Sequence, residues 1–291
     1  MRTRLLFLLI VFASCHSTQD IQKTSDMKPV DTHMHIFFDV EAAQSISDER
    51  VATPENVLKS IRDNGISKAW VLVMAQKGNI NETSLLNDKL LEFYKNNKNV
   101  IVPVGSVHPD DKEDALNELI RISKLGIKII KLHPNTQKFD VASPSVEALA
   151  KKAGDLETTL LFDSYSPFDA NQMGKFVELA IKNPKTKFIL AHMGGVRFME
   201  ILVFDVLNQY PWYAKNVWFD VSYVMPTFAD SPYHHQLAWI IRKVGVEKFV
   251  FGSDYPIFDQ REALQSIDKF GFTDDEKKKL VHDNAEVFLL E

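Results

Sequence analysis

Short apolar runs of strand length alternate with longer amphipathic segments along most of this chain. The runs are nearly continuous in apolar residues, which is typical of strands buried on both faces of a parallel sheet. Eight runs occur, at Pro29–Phe38, Ala69–Ala75, Val100–Pro109, Ile127–Pro134, Thr158–Tyr165, Lys187–Gly195, Val217–Val224 and Phe249–Pro256. Helix-start signals such as Thr53-Pro54-Glu55 lie between them. The pattern predicts an α/β protein, a single (β/α)8 TIM barrel, with an open doubly wound sheet as the alternative.

The N-terminus has the pattern of an export signal. Arg2 and Arg4 precede the apolar run Leu5–Ala13, which is too short for a transmembrane helix of about 20 residues. Phe12-Ala13-Ser14-Cys15 resembles a bacterial lipobox, in which the cysteine is lipidated. We therefore predict a signal peptide over 1–15 with Cys15 as the lipidation site, a polar tether over 16–28 and the barrel domain over 29–291. The expected location is the bacterial cell envelope, and an ordinary cleaved signal is the alternative.

Composition narrows the classes of partner. The formal net charge of −5 argues against a nucleic-acid-binding protein, which needs a basic surface. A single cysteine excludes an internal disulfide and a cysteine-rich zinc site. We therefore expect a small-molecule substrate, no nucleic acid and membrane contact only through the lipid anchor, and a homo-oligomer remains open.

Imidazole and carboxylate groups collect where the predicted strands end. Strand one ends with His33 and His35, which share one strand face because residues i and i+2 do. Further polar residues end strands four, five, six and eight, namely Lys131, His133, Asp163, Tyr165, His192 and Asp254. The carboxyl ends of barrel strands form the active site, so these groups are expected to meet there. They are the ligands and bases that a divalent ion and an activated water require.

Five motifs together resemble the amidohydrolase-related branch of the amidohydrolase superfamily. They are Asp31–Phe38, Gly105–Pro109, Gly126–Pro134, Ala191–Gly195 and Phe251–Pro256, in order and at strand-sized spacing. The resemblance implies a (β/α)8 barrel with one divalent ion, usually zinc. It also implies metal ligands from the strand-one histidine pair, a strand-five histidine and often the strand-eight aspartate, with the strand-six histidine close by. Most members hydrolyse amides, esters or lactones, and some decarboxylate aromatic or conjugated acids.

The chain departs from that family pattern at strand five. Asp163 stands where the family has histidine, so the predicted ligand set is His33, His35, Asp163 and Asp254. An aspartate oxygen can bind zinc, but a second carboxylate shifts the preference of the site toward harder ions such as manganese. We expect zinc, with manganese as the alternative. A second alternative is that the metal has been lost, as in relatives that hydrolyse lactones without one.

The expected chemistry assigns a role to each of these side chains. Asp254 is predicted to activate water, and His192 to stabilise the oxyanion or orient the substrate. Lys131, His133, Arg197 and Tyr165 are the predicted substrate contacts. For Lys131 a structural pair with Asp163 and a carbamylated, metal-bridging form are alternatives.

The main expectation is a metal-dependent hydrolase of a small amide, ester or lactone. The alternatives are a metal-dependent decarboxylase of an aromatic or conjugated acid, a metal-independent lactonase, and a barrel that has become a non-catalytic binding protein.

Overall fold

Eight parallel strands in consecutive order form a nearly closed barrel, which confirms the predicted TIM-barrel fold. The structure, a computed structural model, describes residues 28–289. The predicted signal peptide, Cys15 and nearly all of the tether lie outside these residues. The strands are β1 Val30–His35, β2 Lys68–Leu72, β3 Ile101–Ser106, β4 Ile129–Leu132, β5 Thr159–Asp163, β6 Phe188–Ala191, β7 Val217–Asp220 and β8 Phe249–Val250.

The barrel closes where the last strand returns to the first. The backbone N–H of Thr32 donates to the carbonyl of Phe251 at 2.9 Å, and Met34 and Tyr255 form a parallel bridge. β8 is much shorter than the predicted run to Pro256, because the backbone leaves strand geometry before Asp254, whose φ is +62°. This end of the run is therefore a loop, and it carries Asp254 to the mouth of the barrel.

Helices follow the strands around the outside of the barrel. They are α1 Val40–Gln44, α2 Pro54–Asp63, α3 Ile80–Asn96, α4 Glu113–Lys124, α5 Pro134–Gln137, α6 Pro144–Asp155, α7 Gln172–Lys182, α8 Leu202–Asn208, α9 Val224–Phe228, α10 His234–Val244, α11 Gln260–Ile267, α12 Asp274–Lys278 and α13 Asn284–Glu286. Thr53 caps α2 as its sequence predicts, since its side chain accepts a hydrogen bond from Asn56 N. Near the C-terminus, α12 is continued by a π-helical turn, Lys279–Asp283. No helix within residues 28–289 has the length and apolarity to cross a membrane.

An apolar plug fills the barrel below the strand ends. It consists of alternate strand residues such as Trp70, Ile129, Leu161 and Ile189, all buried. Lys131 and Asp163 follow two residues after Ile129 and Leu161, so they lie on the same strand faces, one step nearer the mouth. The plug therefore forms an apolar base on which the polar side chains rest.

Candidate active site

His33 is fixed by a buried carboxylate at the end of β7. Its Nδ1 lies 2.5 Å from Oδ2 of Asp220, and both side chains are fully buried. Asp220 is itself held by the backbone N–H of Ser222 at 2.6 Å. A carboxylate on Nδ1 selects the tautomer in which His33 Nε2 carries a lone pair. This nitrogen is therefore available to accept a proton or bind a metal ion.

Lys131 lies against that free nitrogen. Its Nζ is 3.1 Å from His33 Nε2 and 4.0 Å from Asp163 Oδ2, and its side chain is fully buried. Burial lowers the pKa of Lys131. Burial and the charge of Lys131 together hold the pKa of His33 well below its usual value. His33 is therefore neutral at physiological pH, as a metal ligand must be.

Asp254 projects between the two histidines of β1. Its backbone N–H donates to the carbonyl of His33 at 2.9 Å, which holds the residue in its left-handed conformation. Its Oδ1 lies 3.5 Å from His33 Nε2 and 3.4 Å from His35 Nε2. Burial would raise the pKa of Asp254, but the charge of His192 and the hydrogen bond with His35 lower it to about 2. Asp254 is therefore an ionised carboxylate.

Asp163 contacts two histidines, although it stands at the position where the family has a metal-binding histidine. A single oxygen, Oδ2, lies 3.0 Å from His192 Nε2 and 3.3 Å from His133 Nε2. Burial would lower the pKa of His192, but the charges of Asp163 and Asp254 raise it to about 9. Burial would raise the pKa of Asp163, yet His192 and His133 hold it well below its usual range. His192 and Asp163 therefore form a buried ion pair, and His192 would have to release its proton to bind a metal ion. We call His192, Asp163 and His133 together the Asp163 chain.

A turn with four successive left-handed residues follows β6 and aims His192. His192, Met193, Gly194 and Gly195 all have positive φ, between +49° and +81°. The Nδ1 of His192 lies 3.0 Å from the hydroxyl of Ser222, and this hydroxyl is also 3.3 Å from His33 Nδ1. The hydroxyl of Ser222, just after β7, thus holds the imidazoles of His33 and His192 beside each other, with ring centroids 5.0 Å apart.

Three of these side chains have the geometry of a metal site. Donor atoms of His33, His192 and Asp254 all lie within 4.8 Å of one another. Two imidazole nitrogens and a carboxylate oxygen suit zinc and manganese, so the residues fit a divalent ion. The sequence prediction had placed His35 and Asp163 among the ligands in place of His192. His35 contacts the same Asp254, whereas Asp163 is hydrogen-bonded to His192 and contacts His133.

A cavity of about 310 Å³ opens above this cluster. Its polar floor includes five side chains that the sequence analysis singled out, which are His35, His133, Asp163, His192 and Asp254. Its wall includes Tyr165 and Tyr223, whose rings stack with centroids 5.5 Å apart, together with Phe37, Met74 and Ile257. The cavity thus has a polar floor and an aromatic and apolar wall.

Not every predicted substrate contact lines this cavity. Lys131 is buried beneath the floor. Arg197 is not part of the lining, and its guanidinium donates to the carbonyl of Ala170 at 2.7 Å. Asp220 was not singled out from the sequence, although a carboxylate at the end of strand seven was a readable signal. Asn135 on α5 was also missed, and it joins the lining because the α5 turn folds over the mouth.

Comparison with known proteins agrees with the barrel fold. The profile of a family described as amidohydrolase matches residues 30–289. No curated protein sequence shows significant similarity to the chain.

Among solved structures, the chain resembles 5-carboxyvanillate decarboxylase of Sphingomonas paucimobilis, with a TM-score of 0.70 and 15% identity over 90% of this chain and 99% of that one. It also resembles 2,6-dihydroxybenzoate decarboxylase from Rhizobium, with a TM-score of 0.69 and 15% identity over 91% and 99% of the two chains. A third similar structure is 5-carboxyvanillate decarboxylase of Novosphingobium aromaticivorans, which is complexed with manganese and a nitrobenzoic acid. Its TM-score is 0.69, with 16% identity over 91% of this chain and 97% of that one. The family match spans nearly the whole barrel, and this chain belongs to the amidohydrolase family.

Proposed function

We propose that this protein is a metal-dependent carboxy-lyase that releases carbon dioxide from a small aromatic acid. The observation that carries the proposal is the cavity, in which stacked Tyr165 and Tyr223 face a cluster of histidines and aspartates. An aromatic ring can pack on the wall while its carboxylate reaches the floor. The decarboxylases of similar fold favour this reaction over the hydrolysis expected from the sequence, and manganese in one of them makes manganese as suitable a candidate as zinc.

The ion would be held by His33, His192 and Asp254, with His35 beside them. When bound, a divalent ion supplies positive charge that fixes an acidic substrate and stabilises the negative charge formed as carbon dioxide leaves. Asp220 orients His33 for this role through Nδ1. The stacked tyrosines orient the ring and keep water from it.

Loss of carbon dioxide requires one proton at the carbon atom that carried it. The Asp163 chain holds exchangeable protons at the cavity floor, because both imidazole Nε2 atoms lie within 3.3 Å of Asp163 Oδ2. We assign this proton delivery to His133, whose imidazole is held in place by the ionised carboxylate of Asp163. Asp163→Asn keeps the shape of the side chain and should lower kcat at least about 100-fold while leaving the metal content unchanged. Loss of metal in this variant would instead make Asp163 a ligand, as its position at the end of strand five predicts.

A hydrolase is the second candidate, and one observation favours it. Asp254 lines the cavity as an ionised carboxylate, which is the protonation state that a general base requires. In this version the same cavity takes an ester, amide or lactone.

One experiment separates the two candidates. The protein without its first 15 residues would be analysed for metal, then incubated with a panel of hydroxybenzoates and, in parallel, with aryl esters and lactones. Metal-dependent release of carbon dioxide that disappears in His33→Ala supports the carboxy-lyase. Hydrolysis of the esters or lactones without carbon dioxide from any acid would replace it by the hydrolase.

For the location we propose export with a lipid on Cys15, which rests on the sequence pattern alone. Labelled palmitate should enter the full-length chain expressed in a bacterium and should not enter Cys15→Ser. Incorporation in neither chain would contradict the lipid anchor.

A further inference from the structure

A second cavity lies beside the candidate active site and shares a wall with it. This side cavity has a volume of about 460 Å³ and is bounded by the end of β1, the segment after β2, α1 and α3. His35, Phe37 and Met74 line both cavities. The rings of His35 and Phe37 are nearly parallel, with centroids 6.3 Å apart, so they form a common partition.

The inner surface of the side cavity is mainly apolar, with the buried hydroxyl of Thr83 as an exception. Leu72 and Val73 are fully or almost fully buried, and Phe38 and Leu86 are half-buried. Its charged members, among them Glu82 and Lys89, are exposed and lie at the rim. Such a surface favours hydrocarbon over ionic groups, because burying an unpaired charge there is costly.

The size of the two cavities indicates what would occupy the second. The cavity above the His–Asp cluster, at about 310 Å³, is near the lower end of the range for small-molecule sites and holds little more than one substituted ring. A ring with its carboxylate on the floor can direct a substituent past Phe37 and Met74. Met74 is unbranched and flexible, so this part of the partition can adapt to a chain passing it.

We infer that the side cavity binds an apolar substituent of the substrate, so that the substrate class is an aromatic acid with an alkyl or aryl side chain. The acid group of this substrate rests on the proposed function. Its apolar substituent rests on the wall that the two cavities share. The hydrocarbon supplies binding energy away from the reacting carbon, which improves affinity and positions the ring.

The test uses three probes of matched chemistry. They are salicylate, 5-hexylsalicylate and 4-hexylphenol, which is the product of decarboxylating the second. Binding of each to the manganese-loaded protein is measured by calorimetry. The hexyl group should tighten binding at least about tenfold relative to salicylate, because its burial removes several methylene groups from water.

A pair of variants assigns that gain to the side cavity. Ala42 on α1 is an exposed residue of its lining, so Ala42→Phe places a ring in the cavity without disturbing the core. Ala148 on α6 is exposed and lies away from both cavities, and Ala148→Phe is the matched control. The hexyl gain should persist in Ala148→Phe and fall to less than threefold in Ala42→Phe.

The outcomes separate this inference from the proposed function. Equal affinities for salicylate and 5-hexylsalicylate would overturn the side-cavity assignment. An unchanged hexyl gain in Ala42→Phe, or failure of all three probes to bind, would overturn it as well. Binding of 4-hexylphenol that Ala42→Phe weakens, with no binding of either acid, supports the side cavity and removes the aromatic acid from the proposed function.

Discussion

At the scale of single residues, the most unusual feature is a lysine among metal-binding side chains. Lys131 Nζ lies 3.1 Å from the nitrogen of His33 that would face an ion. A cation at this distance repels a dication in a site of low dielectric. We expect Lys131→Met, which removes the charge and keeps the length, to increase zinc affinity at least tenfold in competition with a chromophoric chelator.

The exposed Lys128 of the same segment provides the control for this prediction. Lys128→Met removes an equal charge from the outside of the barrel, and its zinc affinity should match that of the unmodified protein. Weaker zinc binding by Lys131→Met would mean that the lysine supports the site rather than opposing the ion.

Asp220 has the opposite expected effect on metal binding. It accepts the Nδ1 proton of His33 at 2.5 Å and so keeps the Nε2 lone pair turned to the site. Asp220→Asn should lower metal affinity about 10–100-fold, the usual effect of losing a carboxylate behind a histidine ligand. Equilibrium dialysis against zinc measures this affinity. Asp205→Asn serves as the control, because Asp205 on α8 pairs with Lys243 and is not part of the site. Equal affinities in the two variants would remove Asp220 from the metal site.

At the scale of elements, the turn after β6 has little room for larger side chains. Gly195 has φ +60°, and a Cβ added there would overlap the ring of Tyr165. We expect Gly195→Ala to cost about 2–4 kcal/mol in the free energy of unfolding, from backbone strain and overpacking together. Displacement of Tyr165 from the cavity wall should also weaken binding of salicylate.

A second glycine separates strain from packing in this experiment. Gly65 also has positive φ, but an added Cβ there has no neighbour within 4 Å. Gly65→Ala should therefore cost only about 1 kcal/mol in urea unfolding and leave ligand affinity unchanged. Similar costs for the two variants would show that Tyr165 yields without penalty.

The elements also show what could be read from the sequence and what could not. The order of strands and the residues at their ends follow from local pattern, so His33, His192 and Asp254 were predicted to meet. The pairing of side chains was not predictable, because it depends on distances between strands far apart in sequence. Asp163 occupies a histidine position of the family and is therefore predicted as a metal ligand, whereas in the structure it is hydrogen-bonded to His192 and contacts His133. Cys15 and the lipid anchor stay a prediction.

At the scale of the whole molecule, a buried aspartate joins the first and last strands of the barrel. Asp31 is fully buried and accepts hydrogen bonds from Ser253 N at 2.9 Å, Ser253 Oγ at 2.6 Å and Gln260 Nε2 at 2.9 Å. It also accepts the backbone N–H of His33 at 3.1 Å. One carboxylate therefore connects β1, the loop after β8, and α11. These bonds contribute to closing the barrel and fix the loop that carries Asp254.

Removing this carboxylate should destabilise the protein more than a typical substitution. Asp31→Ala leaves several buried donors without a partner, each worth about 1–3 kcal/mol, so we expect a loss of at least about 3 kcal/mol in urea unfolding. Ser253→Ala removes one of the bonds and should cost about 1 kcal/mol, which keeps the comparison measurable if Asp31→Ala does not fold. Asp155→Ala, at an exposed site on α6, should change stability by less than about 0.5 kcal/mol. If both Asp31→Ala and Ser253→Ala behaved like this surface control, barrel closure would depend on the backbone pairing of β1 with the β8 loop alone.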